Sequence, residues 1–242
     1  TGWVQIYTFG YESESTTYFE IWKKCYQTIM RCNTLIANIG NLNATTPADI
    51  AKKNDFLGQA HAVRALGYFD LARLYGYPYA KDNGASLGAV LITEILAPSD
   101  SKLPRSTVAQ TYSQVFADLT TALPLLSKSK NTGHFNYWAA KLLQARVFLY
   151  KGEWDNAYTA AKEVIDQSPY TLATRDQYIN YWKETGASET ILELFVSAQS
   201  NIDSDGGYGS YWHNLWHGSP SAGATLIPTV NWINLIESDP AD

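Results

Sequence analysis

The sequence predicts an all-α fold of tetratricopeptide-like helical hairpins with long loop insertions and a minor β element. Three observations carry this expectation. Apolar residues recur at three- and four-residue steps in five stretches between residues 17 and 169. Helix start and stop signals bracket those stretches. Two of the segments repeat one another, as the units of a helical solenoid do.

Each element can be justified in turn. Residues 1–15 are rich in Gly, Thr and Tyr and show no period, so they are expected to be looped. Thr17 and Glu20 have capping-box spacing, and a helix is expected from there to Ile39, with Gly40 as its stop. Its stripe is Phe19, Trp22, Tyr26, Ile29, Leu35 and Ile39. Thr46-Pro47-Ala48-Asp49 has a capping hydroxyl, Pro at the first helical position and an acid in the first turn. The helix it starts runs to Gly76, which stands where a left-handed cap would stand, with Pro78 beyond it. Its apolar stripe is Leu66, Phe69, Leu71, Leu74 and Tyr75, and Gly67 leaves room for a second helix to approach.

Residues 77–105 form a long connection, and a connection of that length inside a domain tends to be functional. Thr107 with Gln110 restarts a helix carrying Tyr112, Val115, Phe116, Leu119, Ala122 and Leu123. A polar break from Ser127 to His134 precedes a helix from Phe135 to Tyr150. Lys151-Gly152-Glu153 is a tight turn, and a further helix spans Trp154 to Gln167 before Pro169. Thr174 and Gln177 cap a short helix through Tyr178, Tyr181 and Trp182. Glu189 to Ser197 is strand-like in its β-branched content, residues 201–225 are loop, and Ile227 to Ile236 is a last short helix.

The internal repeat is specific. Leu66, Phe69, Leu71 and Ala72 match Leu142, Ala145, Val147 and Phe148 at one constant offset, and Gly76 falls on Gly152. Tyr112, Val115, Phe116, Leu119, Ala122 and Leu123 match Trp154, Ala157, Tyr158, Ala161, Val164 and Ile165 at another. The first unit is therefore the second unit with residues 77–105 inserted in its turn. Residues 17–169 are expected to form the helical core of a single domain over 1–242, with 170–242 a loop-rich segment.

Composition narrows the function. Eight Trp and 17 Tyr in 242 residues are a heavy aromatic load, which a Tyr-rich helical core explains in part and exposed stacking surfaces would explain in the rest. A net charge of −5 without a basic run argues against a nucleic-acid partner. Cys25 and Cys32 lie on one helix about 10 Å apart along its axis, too far for a disulfide, and are expected as buried thiols. No apolar run is long enough to span a bilayer.

The stretch Arg64-Ala65-Leu66-Gly67-Tyr68-Phe69-Asp70-Leu71-Ala72-Arg73-Leu74-Tyr75-Gly76-Tyr77-Pro78 resembles the hallmark of the SusD/RagB outer-membrane nutrient-binding lipoproteins. Arg64, Ala65, Tyr68, Phe69, Leu71, Tyr75, Gly76 and Pro78 occupy its signature, with the Pro one place early. Further blocks follow in family order. Trp22, Tyr26, Ile29 and Asn33 resemble one helix, and Arg105-Ser106-Thr107, Tyr112, Asp118-Leu119 and Ala122-Leu123-Pro124 a second block. Ala139-Ala140, Ala145-Arg146, Tyr150 to Trp154 and Ala157 resemble a third, and Glu189 to Glu193 a strand motif.

The resemblance implies a lipid-anchored protein on the outer face of a Bacteroidetes-type outer membrane. It implies a lid on a SusC-like TonB-dependent transporter, with the helices facing that transporter and the loops holding a glycan or other nutrient. It implies no catalysis and no cofactor. The lipidated Cys would lie upstream of Thr1, since Cys25 and Cys32 are mid-helix, and the family's C-terminal half would lie beyond Asp242.

The candidate ligand-binding residues are Tyr208, Tyr211, Trp212, His213 and Trp216 in the Gly-rich loop 203–218, with Trp3 and Tyr7 from the N-terminal loop. Aromatics in such a loop have no helix face to bury. A flat ring covers the C–H face of a sugar, while rim groups bond its hydroxyls. His213 and His217 are four apart, but no third ligand stands at metal spacing, and the calcium-loop template fails at Tyr208 and Asn214. No metal is therefore expected. No nucleophile elbow, paired catalytic acids or phosphate loop is present.

Overall fold

The computed structural model describes residues 20–97, 102–182 and 184–194, with the isolated positions 230, 231, 234 and 238. The chain divides into two compact units, Thr16–Leu194, and Thr1–Ser15 with Phe195–Asp242. The first unit holds the helical series. Its helices are α1 (Ile21–Asn38), α2 (Pro47–Tyr75), α3 (Val108–Ala122), α4 (Tyr137–Lys151), α5 (Trp154–Gln167) and α6 (Arg175–Tyr181). Successive helices from α1 to α5 pack on one another, and α2 also meets α4.

Local signals set the boundaries. Thr46 Oγ1 accepts the Asp49 N–H at 3.1 Å, with Pro47 inside the first turn. Thr107 and Gln110 close the capping box at α3: Gln110 N–H donates to Thr107 Oγ1, and Thr107 N–H donates to Gln110 Oε1. Thr174 N–H likewise donates to Gln177 Oε1 at α6. Asn136 caps α4 by accepting the Ala139 N–H at 2.9 Å. Thr17 lies outside the described residues, and α1 starts at Ile21 behind Glu20 without a side-chain cap. A 3-10 turn over Ile39–Asn41 ends it.

The two repeat glycines differ. Gly152 has φ 85°, a left-handed cap. Gly76 has φ −105° and ψ 169°, so the expected left-handed cap there is corrected to extended backbone. Gly76 is needed for space instead: a Cβ would fall 2.7 Å from the Ala72 carbonyl oxygen and 3.0 Å from Val108 Cγ2. At Gly67 a Cβ would lie 3.2 Å from Ile29 Cγ1, as its expected role in helix approach requires.

The core centres on α2. Tyr68, Phe69 and Leu71 are fully buried, together with Ile29 of α1, Val115 and Leu119 of α3 and Val147 of α4. Each such side chain contributes about 1.5–3 kcal/mol by leaving water. The expected stripes hold in part. Leu74 of α2 is 53% exposed and Leu35 of α1 40%, whereas the small residues Ala62, Ala65 and Ala72 of α2 are buried outside the expected stripe. On α5, Ala157, Ala160 and Val164 face inward, whereas Trp154, Tyr158 and Ile165 are exposed.

The strand expected over Glu189 to Ser197 does not form across its described residues, 189–194, which are turn and irregular. Single bonds anchor this segment in place of a ladder. Glu193 N–H donates to the Thr132 carbonyl at 2.7 Å, and Thr171 N–H to that of Ser188 at 3.1 Å. Among the described residues the one β pairing is the bridge Leu87–Thr107. Of the last short helix expected over Ile227 to Ile236, the described residues Val230, Asn231 and Asn234 are helical, and the others lie outside the described residues.

Candidate functional site

Trp3, Tyr7, Tyr208, Tyr211, Trp212, His213, Trp216 and His217 lie outside the described residues. Two other constellations stand in the described unit. One is buried and holds the long insertion. The other is open.

The buried one is built by the hallmark helix. Arg64 is 5% exposed, and its guanidinium meets Asp118 of α3 at 2.9 Å through Nε and 2.5 Å through Nη2. Its Nη1 donates to Asn33 Oδ1 at 2.7 Å and to the Thr93 carbonyl at 3.1 Å. His61 Nδ1 lies 2.8 Å from Asp118 Oδ1. Burial pushes the Asp118 carboxyl up, but donors from His61 and Arg64 outweigh this and hold it below its ordinary value.

The same cluster fastens residues 90–94, which have no sheet to join. Asn33 Nδ2 donates to the carbonyls of Ile92 and Glu94. Tyr68 OH donates to the Ile92 carbonyl at 2.6 Å and accepts the Ile92 N–H at 2.7 Å. Tyr26 OH does the same at Val90. Burial pushes both phenols up, Tyr26 to about 12, so each hydroxyl keeps the proton it donates. Side chains thus satisfy backbone groups that a strand partner would otherwise take. These residues position the insertion, and Asn33, Arg64, Tyr68 and Asp118 are buried.

The open constellation is a cleft of about 300 Å³ between α2, α4 and the segment Glu189–Leu192. Leu66, Phe135, Leu142, Leu143, Ile191 and Leu192 make its apolar wall, and Arg146 and Glu189 are its charged groups. The segment is held in place. Ala187 is buried, Gly186 (φ 66°) donates its N–H to Glu193 Oε2 at 2.8 Å, and Tyr170 OH lies 3.4 Å from the Ile191 carbonyl. Glu189 Oε2 accepts the Ala173 N–H at 3.1 Å, ahead of α6.

That bond and one at the other end of α6 tie the cleft to an aromatic cluster. Tyr181 OH and Thr190 Oγ1 are 2.8 Å apart. Trp182 packs edge-on against Tyr181 at 5.3 Å and against Tyr178 at 5.9 Å between ring centroids. Tyr178 is 57% exposed and Trp182 71%. These rings are braced by one another and still face water, which suits an apolar ligand face. The sequence places Tyr178, Tyr181 and Trp182 on one short helix but gives no sign that two of them are uncovered. Exposure depends on the tertiary neighbours.

Among the described residues no three His, Cys, Asp or Glu side chains stand together as a metal site. Cys25 is half-buried and Cys32 buried, both as free thiols. No helix of the described residues is long and apolar enough to cross a membrane.

Fold and site together define a helical repeat scaffold with an aromatic-flanked surface cleft. Comparison with known proteins gives its family. Residues 2–149 match the SusD-like family model described as starch-binding associating with outer membrane, and the chain belongs to that family. A SusD-like protein of Formosa agariphila is 27% identical over 205 residues, covering 81% of this chain and 37% of that protein. The crystal structure of a SusD superfamily protein from Bacteroides thetaiotaomicron is 34% identical with a TM-score of 0.76, covering 91% of this chain and 48% of that one. A laminarin-binding SusD-like protein is 27% identical with a TM-score of 0.60, covering 72% of this chain and 36% of that one. The chain therefore spans less than half the length of these relatives.

Proposed function

We propose that this protein captures glycans non-catalytically at the cell surface and hands them to a SusC-like TonB-dependent transporter. The single observation that carries the glycan reading is the exposed, braced pair Tyr178 and Trp182, tied to a cleft that offers Arg146 and Glu189. A sugar presents C–H bonds on one face and hydroxyls at its rim. Rings receive the first, and a guanidinium and a carboxylate receive the second. The family description and the laminarin-binding relative support this reading. Attachment to the outer membrane is through a lipid anchor outside these residues. The loop residues Tyr208, Tyr211, Trp212, His213 and Trp216, with Trp3 and Tyr7, belong to the same proposal as a second aromatic platform.

Calorimetry with laminarin and soluble starch tests the reading. Trp182→Ala is expected to weaken binding roughly tenfold, the scale of one lost ring contact. Binding by the parent chain that is unaltered in Trp182→Ala, Tyr178→Ala, Trp212→Ala and Trp216→Ala would remove both aromatic platforms from the site. No new reducing ends are expected on incubation with either polysaccharide.

A second reading rests on α5, whose Trp154, Tyr158 and Ile165 are 66%, 68% and 78% exposed. Such a stripe fits a protein partner, and the transporter is the partner proposed for it. A chain that binds a protein partner but no sugar on a glycan array would favour a pure interaction scaffold.

A further inference from the structure

A second surface feature lies at the C-terminal end of α2. The chain leaves the helix at Gly76 and comes back along Ser86 and Leu87, leaving a groove of about 510 Å³. Leu74, Tyr77 and Leu87 line it, each more than half exposed. Among the described residues Arg105 is its one charged lining residue.

Arg105 is fixed before any ligand arrives. Its Nε donates to the Gly88 carbonyl at 2.7 Å, and its Nη2 to the carbonyls of Tyr75 at 2.7 Å and Leu87 at 3.2 Å. Among the described residues no carboxylate lines the groove and Nη1 has no hydrogen-bond partner, and the guanidinium carbon lies 5.9 Å from the centroid of the Trp22 ring. Asp82, in the same loop, directs its oxygens to the Ser86 hydroxyl and to the N–H groups of Ala85 and Ser86. The Lys81 ammonium stands 3.0 Å from the centroid of the Tyr77 ring, which is still 57% exposed.

The groove thus combines an exposed ring, two aliphatic side chains and an immobilised guanidinium that no described carboxylate pairs, with a second cation beside the ring. A neutral sugar would leave the guanidinium without a partner of opposite charge. A nucleic acid needs a broad basic surface, and this chain carries a net charge of −5. An anionic group on a sugar ring satisfies both halves, since Arg bonds carboxylate or sulfate oxygens directionally while the ring covers C–H bonds. Because Arg105 is already held by three carbonyls, little side-chain freedom is lost on binding.

We propose that the groove formed by Tyr77, Leu74, Leu87 and Arg105 is a subsite for an acidic sugar residue, its anionic group on Arg105 and its ring on Tyr77. This rests on the glycan reading given above. A uronate carboxylate and a sulfate ester supply the same chemistry.

The test is calorimetry or affinity electrophoresis of the whole chain with polygalacturonate, carrageenan and laminarin as the uronate, sulfated and neutral probes. The parent chain is expected to bind at least one acidic polysaccharide, and the one bound tells carboxylate from sulfate. Tyr77→Ala and Arg105→Gln are each expected to lower that affinity roughly tenfold, while laminarin binding stays unchanged. Arg105 also fastens the loop, so Tyr77→Ala, a change at an exposed ring, decides the matter if Arg105→Gln loosens the fold. The proposal is overturned if neither acidic polysaccharide binds while laminarin does, or if Tyr77→Ala binds the acidic probe as the parent does. If neither these three polysaccharides nor soluble starch binds, the glycan reading itself fails and this subsite goes with it; binding of starch alone overturns the subsite and spares that reading.

Discussion

The hairpin α2–α3 and the hairpin α4–α5 have matching sequence patterns and opposite surroundings. Tyr112 of α3 is 3% exposed, whereas its counterpart on α5, Trp154, is 66% exposed. Phe116 and Leu123 pack on the core, whereas Tyr158 and Ile165 face water. The reason is position in the stack: α3 lies against both α2 and α4, and α5 packs against α4. The turns differ as well. Gly152 closes the second hairpin by its left-handed backbone, while the first opens into residues 77–105, held by Arg64, Tyr26, Tyr68 and Asn33. One repeat pattern thus supplies a buried frame in one copy and an available surface in the other.

The largest test of that contrast is Asp118→Ala, which leaves the Arg64 guanidinium buried and uncompensated. It is expected to cost about 3–5 kcal/mol in urea unfolding. The pH dependence follows from the same residue. The folded Asp118 carboxyl lies below its unfolded value of about 3.9, so its stabilising effect is complete above that pH and disappears as pH falls through the folded value. Asp118→Asn, compared with the parent in acid titrations followed by circular dichroism, should therefore lose less stability between pH 5 and pH 2. An equal loss in both would show that Asp118 carries no acid sensitivity.

Tyr68→Phe comes next, since it removes both bonds to Ile92 and leaves the Ile92 N–H without its partner, while the carbonyl keeps Asn33 Nδ2. The expected cost is about 1–3 kcal/mol, with faster amide exchange at Ile92 than at residues of α4. In the second hairpin, Gly152→Ala places a side chain at φ 85° and should cost about 1–2 kcal/mol by the same denaturation. No atom stands within 4 Å of the Cβ it adds, so a larger loss would mean the turn does more than reverse the chain. The smallest change belongs to Trp154→Ala, expected within about 0.5 kcal/mol of the parent. A loss of several kcal/mol there would mean that α5 is covered, and the contrast between the hairpins would vanish.

What could be read in the sequence was what depends on neighbours along the chain. Thr46 and Thr107 each reach an N–H three residues on, so their caps follow from spacing alone. Gly152 was legible for the same reason. Gly76 was placed correctly as a helix end and wrongly as a left-handed cap, because its need for a missing Cβ comes from Val108, far along the chain, as well as from Ala72. The β-branched run from Glu189 lacked a pairing partner, which no local pattern announces. The cleft escaped notice because Leu66, Leu142, Arg146 and Glu189 come from three separate segments. Tyr178 and Trp182 were seen as helix residues and not as an open surface, while the loop residues Trp212 and Trp216 lie outside the described residues.

The sequence by itself determined the helices, their caps, the repeat and, through Arg64 to Pro78, the resemblance to a SusD-like family. Those features are periodic or local, and hydrogen bonds spanning three or four residues write them into short stretches of chain. Only the tertiary structure decided that Arg64 meets Asp118, that Tyr26 and Tyr68 fasten the insertion, and that Trp154, Trp182 and Tyr77 remain open while Tyr112 does not. Burial and ion pairing depend on which surfaces meet across the stack, and residues far apart in sequence share no pattern that says so.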